Sequence, residues 1–96
     1  LLLQYGLMSL DYVLQVCPPK TRITLLTELA NRTDFWLRDL AYVILPSGEC
    51  LNELLISNGF AKASNSYYCF HLHYFQEICR LAQLEKQGIY QFSNIF

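Results

Sequence analysis

Cys69-x-His71-x-His73 sets three side chains that can bind a transition metal at alternate positions, and an extended backbone would project all three to one side. A helical backbone would instead turn His71 and His73 away from one another. The segment runs into a clear helical pattern, so an ordinary surface or half-buried histidine pair is the expected state. The acids offer a hard cation little more: Asp11, Glu28, Asp34, Asp39, Glu49, Glu53, Glu77 and Glu85 are dispersed, with no tight cluster. Cys17, Cys50, Cys69 and Cys79 contain no Cys-x-x-Cys pair, which argues against a zinc ribbon or a thioredoxin-like redox site. They are expected to be reduced, small apolar packing residues in a reducing compartment.

The elements that must hold these residues follow from periodicity. Over residues 5–17, Leu7, Leu10, Val13, Leu14 and Cys17 recur at threes and fours, which predicts a helix with that face buried. Pro18 and Pro19 end it. Residues 21–29 alternate Ile23, Leu25, Thr27 and Leu29 with Thr24, Leu26 and Glu28, and both sets are largely apolar or β-branched, as in a strand covered on two faces. A polar turn at 31–34 leads to a second strand at 38–45, closed by Pro46-Ser47-Gly48. A short helix at 51–58 stops at Gly59, and residues 60–63 suit one brief extended piece. Tyr74, Phe75, Ile78, Leu81 and Ala82 mark a closing helix; with Gly88 as its stop, Ile89 should fold back and be buried.

Ninety-six residues bound the chain to one small domain, yet 53% are hydrophobic and 16% charged, a greasy balance for a surface-rich molecule. Some apolar surface is therefore expected to face another segment or chain. The opening Leu1-Leu2-Leu3 without Met reads as a cut through a longer polypeptide. A net charge of -1 gives weak long-range attraction to phosphate backbones. No apolar run approaches the roughly 18 residues of a membrane span, nor does the start carry a signal-peptide pattern, so a soluble protein with no membrane partner is expected.

Four segments together resemble the later part of the staphylococcal nuclease family. Tyr5-Gly6 resembles the Tyr-Gly that opens that family's first helix. Thr33-Asp34-Phe35-Trp36-Leu37-Arg38-Asp39-Leu40-Ala41-Tyr42-Val43 is similar to its Thr-Asp-x-Tyr-Gly-Arg-x-Leu-Ala-Tyr-Ile. Leu51-Asn52-Glu53-Leu54-Leu55-Ile56-Ser57-Asn58-Gly59-Phe60-Ala61-Lys62 is similar to Val-Asn-Glu-x-Leu-Val-x-x-Gly-Leu-Ala-Lys, and residues 75–90 resemble the closing helix. The first three segments match in spacing without gaps. The resemblance implies an α+β fold of the OB type, a β-barrel with helices, present in part: helix, β-hairpin, short helix, short strand and C-terminal helix. Residues 1–96 would then form a single partial domain lacking the N-terminal barrel strands, which another segment or chain would supply.

The family activity so implied is calcium-dependent hydrolysis of DNA or RNA phosphodiesters, in which a metal and cationic donors stabilise charge developing on phosphorus. Of that machinery only Arg38 aligns here, where its planar fork could engage two phosphate oxygens or instead pair with Asp39, Asp34 or Glu28. The metal-binding carboxylates have no counterpart, so no cofactor is expected in this chain, calcium belonging only to a complete site. Trp36 and Tyr67 align with aromatics near the bound nucleotide and could stack on bases, though packing on the barrel or at a protein interface suits them as well. Leu37 replaces the glycine before the arginine, which puts the aim of Arg38 in question. The expectation is a catalytically incompetent nucleic-acid-binding or scaffolding module; the alternatives are a truncated record of an active nuclease and a protein–protein interaction module.

Overall fold

Thr24, Leu25 and Leu26 pair antiparallel with Ile44, Val43 and Tyr42, and these two short strands, β1 (Thr24–Leu26) and β2 (Tyr42–Ile44), form the sheet of a computed structural model that describes residues 2–28, 32–33, 37–38, 40–63 and 69–93. Around it stand α1 (Leu2–Val16), α2 (Leu51–Ser57) and α3 (Leu72–Leu84), followed by a 3-10 turn at Gly88–Gln91. The result is a small α+β fold with a radius of gyration of 13.6 Å, near the ~13 Å of a folded chain of about a hundred residues. Among the described residues the sheet has two strands and is not a closed barrel.

The predicted hairpin forms, in a shorter version. Beyond the ladder the Leu40 N–H donates to the Arg32 carbonyl at 2.8 Å, drawing the far end of the hairpin together. At the near end Gly48 N–H reaches Leu45 O at 2.8 Å and Leu45 N–H reaches Glu49 O at 2.9 Å, closing the turn that Pro46-Ser47-Gly48 foretells. The edge of β2 away from β1 is occupied by a side chain: Asn52 accepts from Val43 N–H at 2.9 Å and donates to Ala41 O at 3.0 Å. One amide thus completes two backbone groups as a neighbouring strand would. The expected covering of β1 on two faces is not found, since Leu25 is 55% and Leu26 51% exposed.

The core lies between α2 and α3. Ile56, Phe75, Cys79, Ala82 and Tyr90 form its buried cluster, with Tyr42, Ala61, Ala63, Cys69 and Ile78 packed against it. The periodic residues Phe75 and Ala82 of the closing helix are buried as expected, and Ile78 is half-buried, whereas Tyr74 and Leu81 stay exposed. Residues 60–63 carry no strand; Phe60 N–H and Ala61 N–H instead return to Leu55 O at 2.8 and 3.2 Å, wrapping the chain over the end of α2.

α1 buries a different face from the one its leucines predict. Leu7, Leu10 and Leu14 remain exposed along with Leu3, while Tyr5 is buried and Ser9, Tyr12, Val13 and Val16 are half-buried. The physical reason is specific docking: Tyr12 stacks on Phe60 with ring centroids 4.9 Å apart, and Ser9 Oγ donates to Phe60 O at 2.8 Å. A helix apolar on two stripes has no sequence signal that says which will find a partner. Tyr5-Gly6 also sits inside the helix here, three residues past its first residue, rather than at its opening.

Both remaining helices end in the same hydrogen-bonded device, centred on different residue types. After α2, Gly59 (φ 77°) gives its N–H to Ile56 O and Phe60 gives its own to Leu55 O, a Schellman ending at the expected glycine. After α3 the left-handed residue is Lys86 (φ 53°), with Lys86 N–H to Gln83 O at 3.2 Å and Gln87 N–H to Ala82 O at 3.0 Å. The stop expected at Gly88 therefore falls two residues earlier. A lysine there bears a Cβ penalty of about 1 kcal/mol that glycine lacks, so Lys86→Gly is expected to raise unfolding free energy by about 0.5–1 kcal/mol in a urea titration. A loss of stability would show that the lysine side chain contributes more than its backbone costs.

Candidate functional site

Of the site residues expected from sequence, Arg38 is among the described residues. Trp36 and Tyr67 lie outside the described residues, as do Asp34 and Asp39. Arg38 stands exposed directly after Leu37, whose φ of 64° puts a leucine in the left-handed region. That conformation costs a non-glycine residue about 1–2 kcal/mol, and Leu37, 81% exposed, recovers little of it by burial. The backbone into Arg38 is thus the kind a glycine adopts, held by a residue that resists it. Arg32 is exposed on the same end of the hairpin, tied across it by the Leu40 amide.

The loop side of the two-stranded ladder gathers a polar cluster that sequence reasoning did not single out. Glu28, just past β1, accepts the Tyr42 hydroxyl proton, and its two oxygens take the Phe70 N–H at 3.2 and 3.0 Å. The carboxylate thereby ties the hairpin to the entry of α3. Around the Tyr42 ring, His71 approaches edge-on at 5.4 Å and Phe75 at 6.0 Å. Burial first, then hydrogen bonds with Glu28 and Cys69, push the Tyr42 phenol well above its ordinary value, so it stays protonated and acts as a donor. The only sequence hint was a strand-end acid 14 residues from a strand tyrosine, too far apart to be paired without the register.

The Cys69, His71, His73 trio does not make a metal site. His71 precedes the first residue of α3 and His73 lies in its first turn, both exposed, with His71 engaged by Tyr42 and Phe70. Among the described residues no three His, Cys, Asp or Glu side chains are placed to hold an ion. The carboxylates are drawn into separate local tasks: Glu28 as above, Glu53 accepting from Tyr74, Glu49 from Ser47 at 3.2 Å, and Glu77 bridging Arg80 at 2.6 Å. The described residues therefore do not fit a calcium site of the nuclease type, and no catalytic step through a metal follows from them. All four cysteines are free thiols.

Further along α3 an open groove is lined by Ala63, Gln76, Cys79, Arg80 and Gln83. Its buried thiol lies 3.4 Å from the Tyr90 hydroxyl. Burial, with the Cys79 contact second, pushes the Tyr90 phenol from 10.0 up to about 12. Because the folded value exceeds the unfolded one, the stabilisation linked to Tyr90 is complete below pH 10 and is lost as pH rises towards 12. Urea midpoints measured across that window are expected to fall, and Tyr90→Phe to remove Tyr90's share of the fall. An identical alkaline slope in both proteins would refute the assignment.

No helix of the described residues is long and apolar enough to cross a membrane. In comparisons with known proteins, no family model matches the chain and no curated protein matches it.

Proposed function

We propose that this chain is the later portion of a staphylococcal-nuclease-like domain that binds single-stranded nucleic acid or acts as a scaffold, without cutting phosphodiesters by itself. The observation that carries the reading is the left-handed backbone at Leu37 immediately before exposed Arg38, the position where the family has a glycine before its phosphate-binding arginine. The element order helix, hairpin, short helix, long helix supports it as well. So does β1, whose exposed leucines suit a sheet continued by further strands from another segment or chain. The dispersal of the carboxylates among the described residues, with Glu28 and Glu53 each bound to a tyrosine hydroxyl, supports a binding role over a catalytic one.

Arg38 would engage phosphate oxygens through its fork, and Trp36 and Tyr67 would supply stacking faces. With a net charge of -1, affinity is expected to lie in the weak non-specific range, a Kd of about 10⁻⁴ to 10⁻⁶ M, and to weaken as salt rises. Fluorescence anisotropy with a labelled single-stranded oligonucleotide tests this. Arg38→Ala should weaken binding about tenfold, the loss of one charge-assisted contact. Absence of binding at low salt, or binding indifferent to Arg38, defeats the nucleic-acid reading. Calcium-dependent cleavage abolished by Arg38→Ala would restore the enzyme reading.

A second reading, a protein–protein interaction module, is favoured by the exposed leucines of α1 and β1, which present apolar surface on two elements. It expects the chain to self-associate or to be held by a partner. A soluble, compact monomer in sedimentation would count against it.

A further inference from the structure

Asn58-Gly59 is the dipeptide chemically most prone to spontaneous deamidation, since a glycine nitrogen meets no side-chain obstacle in reaching the preceding amide carbon. In that reaction the Gly59 amide loses its proton to hydroxide and its nitrogen bonds to Asn58 Cγ. The Cγ–Nδ2 bond breaks and ammonia leaves. Water then opens the cyclic imide on either side, giving aspartate or isoaspartate at 58. One water is consumed and one ammonia released; no other reactant is needed.

Here every atom that must move is held. The attacking Gly59 nitrogen donates its proton to Ile56 O at 3.1 Å. The leaving nitrogen, Asn58 Nδ2, donates to Leu54 O at 2.8 Å and to the Tyr12 hydroxyl of α1 at 3.1 Å. Asn58 keeps a near-helical backbone (φ -94°, ψ 5°), which the ring closure requires it to leave. Gly59 is buried against the backbone of Gln87 and Gly88, and Ile89 N–H binds its carbonyl at 3.0 Å. The next residue, Phe60, receives two further contacts from α1, the Tyr12 ring and Ser9 Oγ. The labile peptide and these three α1 contacts therefore share one tripeptide.

We propose that Asn58-Gly59 is a latent, one-way modification site that the docked α1 helix keeps closed. Conversion removes the donor to Leu54 O and places a carboxylate at the C-terminal end of α2, where the helix carbonyls already concentrate negative charge. Isoaspartate also adds a methylene to the backbone beside the close approach of Gly59 to Gln87 and Gly88. The product loses the seat on which α1 rests, so aging of the chain becomes a release of that helix.

The test follows deamidation at Asn58 by peptide mass mapping of the whole chain in mildly alkaline buffer, folded and in urea. Local opening must precede reaction, so the folded chain should react at least about tenfold more slowly. Tyr12→Phe, which keeps the stacked ring and removes only the hydroxyl, should speed the folded reaction about fivefold, the worth of one hydrogen bond. Equal rates for folded and unfolded chain, or for Tyr12→Phe and the parent in matched helix content, overturn the guarding role. The deamidated form, separated by its added charge, should be cut within α1 by a non-specific protease several-fold faster than the parent. Unchanged cleavage overturns the release.

Discussion

Gly88→Ala is expected to cost about 3–5 kcal/mol and to leave much of the chain unfolded in the absence of denaturant, read by urea titration with far-UV circular dichroism. Gly88 has φ 52°, a region in which an added Cβ is strained, and that Cβ would stand 2.3 Å from Asn58 O and 2.8 Å from Gly59 O. These are main-chain atoms at the end of α2 and cannot swing aside as a side-chain tip can. The approach is reciprocal: a Cβ on Gly59 would lie 2.1 Å from Gln87 O. Two glycines far apart in sequence thus allow the segment after α3 to touch the end of α2 backbone to backbone, and the Ile89 N–H to Gly59 O bond at 3.0 Å closes that contact. With total stability of a small domain at about 5–15 kcal/mol, losing this contact removes a large share of it. Gly6→Ala serves as the control, because nothing lies within 4 Å of the added carbon and the position is helical. It should be neutral or stabilise by up to about 1 kcal/mol. A cost below about 1 kcal/mol for Gly88→Ala would mean that the two segments are not in tight contact.

Ile89→Ala should destabilise by about 2–5 kcal/mol, whereas Ile89→Val should cost about 0.5–1.5 kcal/mol. At 1% exposure Ile89 is the largest side chain buried completely among the described residues. Its neighbours cannot readily collapse into a cavity, because its own amide is fixed to Gly59 and its carbonyl accepts Phe92 and Ser93 N–H at 2.9 and 3.1 Å. Deleting its side chain therefore leaves space instead of a rearranged core. The graded pair separates lost packing from loss of the turn: equal costs for alanine and valine would point to backbone strain. Measured with Gly88→Ala, the two substitutions should not add, since both act on the same junction.

Much of the fold was legible in the chain's local chemistry. The three helices, the Pro46-Ser47-Gly48 turn and the hairpin follow from periodicity, turn residues and caps, which act over a few residues and so leave a local trace; Ile89 is buried as expected, but at its junction with Gly59 and not through a stop at Gly88. Even where the stop of α3 fell at Lys86 and not Gly88, the signal erred by two residues, because a lysine can be forced into a conformation that glycine only makes easier.

What tertiary structure alone decided are the choices between equally apolar or equally polar options. Which stripe of α1 would be buried depended on Phe60 and Asn58, more than forty residues away from Tyr12. That Glu28 would join Tyr42 to the entry of α3, and that Asn52 would cap the edge of β2, depended on the register of the hairpin and the position of α2. Glutamates and asparagines carry no mark of the partner they will meet. Their donors and acceptors are satisfied only after packing has brought distant backbone into reach, and that energy is absent from any local window of sequence.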